Sequence, residues 1–523
     1  MRATRVVALA AGVLACASSG VKPATTAAPA APPTSAAAAP TVSAAPSEAV
    51  SRAMLRHVID SMVTQSEFRN SHFGVLIVDP EKGDTLYSLN AGKLFMPASN
   101  MKIVTGATSL VQLGPDYTYR TEFATGGVVL RDTLHGQFVI SGRGDPSISD
   151  HMRGSALQPL YDAADSVKAH GIKAIAGGIY SGPDVFPDST IGFGWSWDDL
   201  AEDYGAGVDA LYFNEGFGTA IARGKPGSSP DSIETLPLHN YPILMNYPIV
   251  RRLPRSPRDA PDTGDVRLEL NQLRTAFFAL GKLKTAADTL VYVYPNQRFA
   301  FLRALTDAFE ARGVAVGAQV WGLGDVARTP YDPKRNTVLF TMHSPPLREI
   351  LRALEKPSQN QIAEILYKTL GLEKTGVGSA DSGRVVIERQ LAAWGAQPDG
   401  YLIRDGSGLS RYDYLSPETI VRVLDKIRAD SAFHVFYDAL PIAGVDGSLE
   451  HRMRGTAAVG NVHAKTGSIA NARSLSGYVT TADNHMLLFS LLANNWTTKQ
   501  SAVDSVQNRI AVMLAELKLR DAQ

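Results

Sequence analysis

Three stretches of the chain differ in how apolar and polar residues alternate. Near the start, apolar residues recur at helical spacing, then alternate as in a strand, and then recur at helical spacing again. This pattern predicts a helix, a hairpin of two strands and a second helix that begins at a proline and stops at a Gly-Pro pair, over residues 50–65, 73–79, 85–89 and 97–113.

The last third of the chain mixes helical and β patterns in the same way. Helices are predicted over residues 347–354, 361–370, 382–394, 417–429 and 501–519, and strands over residues 462–469, 475–481 and 485–493. A sheet that combines the early and late strands would be antiparallel and flanked by helices. We therefore expect an α/β fold of the α+β kind.

The middle of the chain has a different texture. It contains short strands, many Gly and Pro turns and two helix-like segments, near residues 158–170 and 301–312. We expect residues 50–114 and 346–523 to form one domain and residues 115–345 to form a large β-rich insertion into it. A chain of 523 residues suggests about three domains.

The N-terminus predicts export. Residues 1–16 combine two arginines with an apolar stretch that is too short to span a bilayer, which is typical of a signal peptide. The stretch ends at Cys16, the only cysteine, and the residues before it resemble a bacterial lipobox, so Cys16 is the predicted lipid attachment site. Residues 17–49 are mostly Ala, Pro, Ser and Thr and predict a disordered tether. The alternative is a plain signal peptide with an incidental cysteine.

Composition excludes several classes of function. Lys plus Arg and Asp plus Glu both number 51, and this balance argues against a nucleic-acid groove. A single cysteine rules out an internal disulfide and a cysteine-rich metal site. The eleven histidines show no His-Glu-x-x-His spacing, so a zincin-type metalloprotease is also disfavoured. We predict no metal and no cofactor.

Ser99 and Lys102 form the first candidate chemical motif. They lie three positions apart at the start of a predicted helix, so the hydroxyl and the amine can meet on one face. A hydroxyl is a weak nucleophile until a base takes its proton, and a lysine with a lowered pKa can be that base. Taken alone, the motif favours an exposed serine beside a solvated lysine.

Two further motifs follow in the chain. Ser358 and Asn360 lie on either side of Gln359, just before a predicted helix. Their side chains could face one cleft together, although a cap of that helix is the simpler interpretation. Residues 465–468, with the sequence Lys-Thr-Gly-Ser, lie in a predicted edge strand, where Gly467 would let a substrate backbone approach. A second Lys-Thr-Gly at 374–376 follows a helix directly and is predicted to be a helix C-terminus.

Together the three motifs, in this order, resemble the signature of serine penicillin-recognising enzymes. Gln359 stands where the usual pattern has Asp. The flanking sequences strengthen the resemblance: residues 97–102, 141–146, 194–199, 405–411 and 440–449. The chain resembles the low-molecular-mass class C penicillin-binding proteins, the D-alanyl-D-alanine carboxypeptidase/endopeptidase family, from near residue 50 to near residue 520. The long gap between the first two motifs distinguishes it from the compact β-lactamases.

The resemblance implies a serine penicillin-recognising, transpeptidase-like fold whose insertion holds two nested domains. It also implies roles for individual residues. The implied catalytic residues are Ser99, Lys102, Ser358, Asn360 and Lys465, and the implied substrate-binding residues are Thr466, Gly467, Ser468 and Arg411. Asp446 is predicted to lie in a turn rather than to act as a catalytic acid, and residues 405–408 fit a tight turn and a functional site equally well.

The implied partners are peptidoglycan stem peptides as substrates, β-lactams as inhibitors and a membrane reached through an N-terminal lipid. The implied location is periplasmic or otherwise extracytoplasmic. Two alternatives stay open at this point. One is a β-lactamase-like or esterase-like hydrolase on the same scaffold, and the other is a non-catalytic protein that binds cell wall or β-lactams.

Overall fold

A computed structural model describes residues 52–237, 243–246, 265–270, 276–317 and 334–519. The predicted signal peptide at 1–16, Cys16 and the predicted tether at 17–49 lie outside these residues. None of the helices in the described ranges is long and apolar enough to cross a bilayer.

The first described elements match the predicted helix, hairpin and helix. They are α1 (Arg52–Val63), β1 (His72–Asp79), β2 (Asp84–Leu89) and α2 (Met101–Leu113), with short 3-10 turns at Ser66–Phe68 and Ala98–Asn100. Gly114 ends α2 with a positive φ of 87°, a conformation that a residue without a Cβ adopts at little cost.

In its described residues, the middle of the chain consists of short strands and three helices. In order, these elements are β3 (Arg120–Thr125), β4 (Val128–Leu130), β5 (Thr133–His135), β6 (Phe138–Ser141), α3 (Asp150–Arg153), α4 (Gln158–Ala169), β7 (Ala174–Ile175), β8 (Ile179–Ser181), β9 (Phe217–Arg223), β10 (Ser232–Leu236), β11 (Ile243–Asn246), β12 (Arg267–Leu270), β13 (Ala276–Leu280), β14 (Ala287–Val293), α5 (Gln297–Ala311), β15 (Ala315–Val316) and β16 (Thr337–His343). Further 3-10 turns lie at Trp197–Ala201, Asp203–Gly205 and Asn214–Gly216.

Strands β3 and β16 pair antiparallel, so the chain leaves this region beside the strand by which it enters. Within the region, β9 to β14 form two three-stranded sheets, β10-β9-β14 and β11-β13-β12. The borders of the insertion at 115 and 345, and its division into two nested domains, stay predictions.

The last part of the chain is helical and then β-rich. Its elements are α6 (Leu347–Glu355), α7 (Asn360–Thr375), α8 (Ala380–Ala393), β17 (Tyr401–Leu402), β18 (Tyr414–Leu415), α9 (Pro417–Arg428), α10 (Phe433–Ala439), β19 (His463–Ile469), β20 (Ala472–Thr480), β21 (Met486–Asn494) and α11 (Gln500–Glu516), with a 3-10 turn at Gly447–Leu449. Helix α10 was not predicted, because its Phe, Val and Tyr residues carry the composition of a strand.

Early and late strands share one five-stranded sheet in the order β19-β20-β21-β1-β2, and all its pairs are antiparallel. Side chains alternate between its faces. In β1, Leu76 packs with α2, α7 and α9, whereas Val75 and Ile77 pack with α1 and α11. The predicted sheet flanked by helices is thus confirmed. Strand β19 lies at the edge of this sheet, and beyond the bridge between His463 and Ile442 its outer side can border a cleft.

Candidate active site

Ser99 lies in the 3-10 turn that leads into α2, and neighbouring elements hold this turn tightly. Ala98 has a φ of 48°, in the left-handed region that non-glycine residues seldom adopt. Gly408 packs against the turn so closely that a Cβ there would lie 1.8 Å from the Ala98 carbonyl oxygen. On the other side, Ser474 Oγ donates to the Pro97 carbonyl at 2.7 Å. Strained backbone of this kind is concentrated at active sites.

Lys102 is fully buried one helical turn after Ser99. Its Nζ lies 2.9 Å from Ser99 Oγ, 2.6 Å from Asn360 Oδ1 and 2.8 Å from the Ser407 carbonyl oxygen. The structure therefore brings together Ser99, Lys102 and Asn360. The spacing predicted the contact between Ser99 and Lys102, and the resemblance implied the place of Asn360.

Burial and the nearby charge of Lys465 lower the pKa of Lys102 to about 7, although the carboxylates of Asp405, Glu355 and Glu364 oppose the shift. Near neutral pH, a substantial fraction of Lys102 is therefore the uncharged amine. A neutral amine has two N–H donors and one lone pair. The amide oxygen of Asn360 and the carbonyl of Ser407 can only accept, so the N–H bonds point to them and the lone pair is left for the Ser99 hydroxyl.

Ser358 and Asn360 flank the start of α7. Ser358 lines the same pocket as Ser99 and has a φ of 68°, and Asn360 donates from Nδ2 to the Tyr204 carbonyl at 2.8 Å. The side chain that caps α7 is neither of these but Gln359, whose Oε1 accepts from the amides of Gln361 and Ile362. In the described part of the chain, no hydrogen bond joins Ser358 to Lys465. Catalytic hydrogen bonds are often loose before substrate binds.

Strand β19 forms the opposite wall. Lys465 is fully buried and its Nζ donates to the Thr466 carbonyl at 3.2 Å. Burial lowers the pKa of Lys465, and the carboxylate of Glu355 opposes that shift. Gly467 lies against the Ser99 turn, where a Cβ would be 2.9 Å from the Ser99 amide nitrogen. The absence of a side chain at Gly467 thus allows this contact.

The second Lys-Thr-Gly lies elsewhere. Lys374 and Thr375 are exposed in the last turn of α7, and Gly376 ends that helix with a φ of 82°. The prediction that this copy is a helix C-terminus is confirmed.

Seven of the nine predicted site residues border a pocket of about 470 Å³ between α2, α7 and β19, and the fully buried Lys102 and Lys465 lie behind its lining. Positive and negative side chains both line it, so it can bind a ligand with groups of both charges. The lining residues are Ser99, Asp199, Tyr204, Ser358, Asn360, Gly408, Leu409, Arg411, Ser448, Arg452, Thr466, Gly467, Ser468, Ile469, Ala470 and Arg473. No cluster of three or more His, Cys, Asp or Glu side chains suited to a metal ion occurs in the described residues.

Several residues of this site were missed or left open by the sequence. Ser448 shares a hydrogen bond of 2.6 Å with Thr466 Oγ1 at the edge of the pocket. The stretch at 405–408, left open between turn and site, supplies the carbonyl that binds Lys102. The Asp405 carboxylate accepts from the backbone amides of Ser407, Gly408 and Ser410. Asp446 pairs with Lys356, as expected of a structural turn. The family-like stretches at 405–411 and 440–449 were the only sequence signals for these contacts.

Fold and site together define a serine hydrolase in which a lysine lies within hydrogen-bonding distance of the serine. The model of the D-Ala-D-Ala carboxypeptidase 3 (S13) family matches residues 55–517, and the chain belongs to this family. The protein is accordingly a serine-type D-Ala-D-Ala carboxypeptidase.

Individual relatives agree with this assignment. A D-alanyl-D-alanine carboxypeptidase of Actinomadura sp. (strain R39) is 32% identical over 480 residues, which cover 88% of this chain and 84% of that protein. The carboxypeptidase DacB of Haemophilus influenzae is 24% identical over 460 residues, 84% of this chain and 88% of that protein. The crystal structure of penicillin-binding protein 4 (dacB) from Haemophilus influenzae superposes with a TM-score of 0.72 at 21% identity, covering 87% of this chain and 99% of that one, and shows the shared fold.

Proposed function

We propose that Ser99 is the nucleophile of this carboxypeptidase and that its substrates are peptidoglycan stem peptides ending in D-Ala-D-Ala. Ser99 Oγ attacks the carbonyl carbon between the two D-alanines while Lys102 Nζ accepts the hydroxyl proton. The tetrahedral intermediate then breaks its C–N bond, the departing amine takes up a proton and an acyl-enzyme remains. The observation that carries this proposal is the 2.9 Å separation of Ser99 Oγ from a buried Lys102 Nζ.

The other predicted residues have roles around this step. Ser358, which lines the pocket at the start of α7, delivers the proton to the leaving amine. Asn360 orients both Lys102 and the substrate peptide. The backbone amides of Ser99 and Ser468 form the oxyanion hole, and each such donor lowers the barrier by about 3 kcal/mol. Water then hydrolyses the acyl-enzyme.

Groups on and beside β19 bind the substrate's terminal carboxylate. Lys465 supplies positive charge, the hydroxyls of Thr466 and Ser468 supply hydrogen bonds, and Gly467 allows close approach. Arg411, whose guanidinium lines the pocket beside the Ala470 carbonyl, contacts the side chain of the stem peptide. Asp199 provides a negative charge in the same pocket.

β-Lactams should acylate the same serine, because their carbonyl and carboxylate imitate those of the D-Ala-D-Ala end. One relative of this fold has been solved in complex with a β-lactam. Intact-mass measurement after incubation with penicillin should show one adduct on the wild-type chain and none on Ser99→Ala. An adduct that persists on Ser99→Ala would disprove the assignment, and mass spectrometry of purified muropeptides identifies the bond that is cleaved.

Neither alternative is favoured. A non-catalytic binder is disfavoured because it should have lost one of the five implied catalytic residues, and Ser99, Lys102, Ser358, Asn360 and Lys465 are all present. A β-lactamase-like enzyme would release the penicillin adduct rapidly, so the persistence of the adduct in the intact-mass experiment distinguishes it from a carboxypeptidase.

We further propose that the enzyme works outside the cytoplasm and is attached to a bacterial membrane through a lipid on Cys16. An extracytoplasmic location fits a family of cell-wall enzymes. Residues 17–49, rich in Ala, Pro, Ser and Thr, would act as an extended tether that lets the catalytic domain reach the cell wall. Expressed with its leader in bacteria, the wild-type chain should enter the detergent phase and Cys16→Ser the aqueous phase. Partition of both chains into the aqueous phase would refute the lipid anchor.

A further inference from the structure

A hydrogen-bonded chain of side chains runs from the predicted insertion to the Ser358 turn. His151 Nδ1 lies 2.7 Å from Glu215 Oε1, and Gln359 Nε2 donates to Glu215 Oε2 at 3.0 Å. The other end of the Gln359 amide, Oε1, accepts from the Gln361 amide at 2.6 Å. Both ends of the Gln359 side chain are therefore fixed, one by the insertion and one by α7.

The backbone at both ends of this contact is strained. Glu215 has a φ of 55° and is buried, with 7% of its surface exposed, and Ser358 has a φ of 68°. A left-handed conformation at a non-glycine residue costs about 1–2 kcal/mol and persists only where neighbours hold it. Gln359 directly follows Ser358, so fixing its side chain restrains the strained peptide beside it.

Other contacts hold α7 but not this turn. Asn360 Nδ2 donates to the Tyr204 carbonyl, and Gln361 Nε2 donates to the Asp203 carbonyl at 2.7 Å. Both bonds begin inside the helix, after the turn has ended. The residue next to Ser358 is held by its backbone amide, which donates to the Leu354 carbonyl at 2.9 Å, and by its side chain, which the contact with Glu215 ties to the insertion.

We propose that Glu215 is a positioning residue for the reaction: its carboxylate orients Gln359, and Gln359 holds Ser358 in the conformation that presents its hydroxyl to the pocket. This inference rests on the proposed roles of Ser99 and Ser358. It also gives the Gln at position 359 a reason, since an amide can donate to Glu215 and accept from the helix amides at once, whereas a carboxylate can only accept.

The test is the rate of acylation by penicillin, followed by intact mass, of single and paired variants. We expect Glu215→Ala and Gln359→Ala each to slow acylation by about 10- to 100-fold, because a misplacement of about 1 Å at a reacting group can reduce the rate by about 100-fold. The double variant should be no slower than either single variant, since both remove the same restraint.

A charge exchange provides the rescue. Gln359→Glu places two carboxylates at the 3.0 Å contact and should be slow. Adding Glu215→Gln restores a donor on the other side, while a carboxylate at 359 still caps the positive N-terminus of α7. The pair should therefore recover most of the wild-type rate, which a purely structural defect at either position would not do.

Glu373→Ala is the matched control. Glu373 also joins α7 to the insertion, through an ion pair of 2.6 Å with Arg143, but it lies at the far end of the helix. It should be acylated at the wild-type rate.

Three results would overturn the inference: wild-type acylation of Glu215→Ala, multiplicative effects of the two alanine substitutions, or an equal loss in Glu373→Ala. If Glu215→Ala does not fold, failure of the charge exchange to rescue Gln359→Glu overturns it as well. A wild-type chain that penicillin does not acylate refutes the proposed function instead, so the two failures are distinguishable.

Discussion

Replacing Gly467 by alanine tests how closely β19 approaches Ser99, the proposed nucleophile. The new Cβ would lie 2.1 Å from Ser474 Oγ, 2.8 Å from the Pro97 carbonyl oxygen and 2.9 Å from the Ser99 amide nitrogen. Two of these atoms belong to the backbone and cannot rotate away. Ser474 Oγ is itself bonded to the Pro97 carbonyl and to Asn100 Oδ1, so it cannot turn without releasing the Ser99 turn.

The size of the effect follows from these distances. An ordinary contact of a Cβ is at least 3.4 Å, whereas the Pro97 carbonyl oxygen would lie only 2.8 Å away. Strand β19 and the Ser99 turn must therefore separate by about 0.6 Å. A misplacement of 1 Å at a reacting group can reduce the rate by about 100-fold, so we expect acylation of Gly467→Ala to be about 10- to 100-fold slower. Overpacking should also cost about 1–3 kcal/mol of stability.

The assay is the time course of the penicillin adduct by intact mass, with thermal unfolding measured alongside. Gly92→Ala is the matched control, because its new Cβ would meet its nearest neighbour, Glu418 Oε2, at an ordinary 3.5 Å. It should be acylated normally. Acylation of Gly467→Ala at the wild-type rate, or an equal loss in Gly92→Ala, would refute the argument from close approach.

Two further predictions concern the lysines. In the same mass assay, Lys465→Ala should reduce the rate of acylation by orders of magnitude. Lys374 is exposed at the end of α7, so Lys374→Ala should be acylated at nearly the wild-type rate. The reverse result would show that the wrong Lys-Thr-Gly motif was chosen. The rate of acylation should rise with pH through about 7, because Lys102 must lose its proton to act as a base. The rate should fall again at alkaline pH, because Lys465 then loses the positive charge proposed to bind the carboxylate. Since the pKa of Lys465 is lowered, this fall should begin below the pH at which a lysine usually loses its proton. Lys465→Arg should remove the alkaline fall, since arginine stays charged, and an unchanged profile would contradict that origin.

Much of the catalytic domain could be predicted because its local patterns agree with its tertiary structure. The strand at 462–469 and the helix at 97–113 were expected within a few residues of their observed ends. Helix α10 was missed because burial against the sheet overrides the β preference of Phe433 and its neighbours. Local propensity does not include that contact.

The site divides in the same way. Ser99 and Lys102 could be paired from sequence because three residues bring them together on one helix. The contact between Lys102 and the Ser407 carbonyl could not be predicted, because Ser407 lies 305 residues away in the sequence. It also acts through a backbone carbonyl, which any residue type provides. Ser448 lies in the family-like stretch at 440–449, but its contact with Thr466 could not be predicted, because a lone serine in a turn has no distinctive pattern. Gln359 was noted only as a departure from the usual motif, and its partner Glu215 lies 144 residues earlier.

The long middle region has a direct effect on the chemistry of Lys102. One acceptor of its N–H bonds, Asn360, is held by the backbone carbonyl of Tyr204. The other is a carbonyl in the loop that the carboxylate of Asp405 organises, and Asp405 in turn accepts from the indole N–H of Trp195 at 2.9 Å. Because these two acceptors decide where the amine's lone pair points, residues of the predicted insertion help to direct Lys102, the proposed base, toward Ser99. A compact enzyme with the same three motifs must fix both acceptors by other means, so the shared motifs do not imply a shared framework around the base.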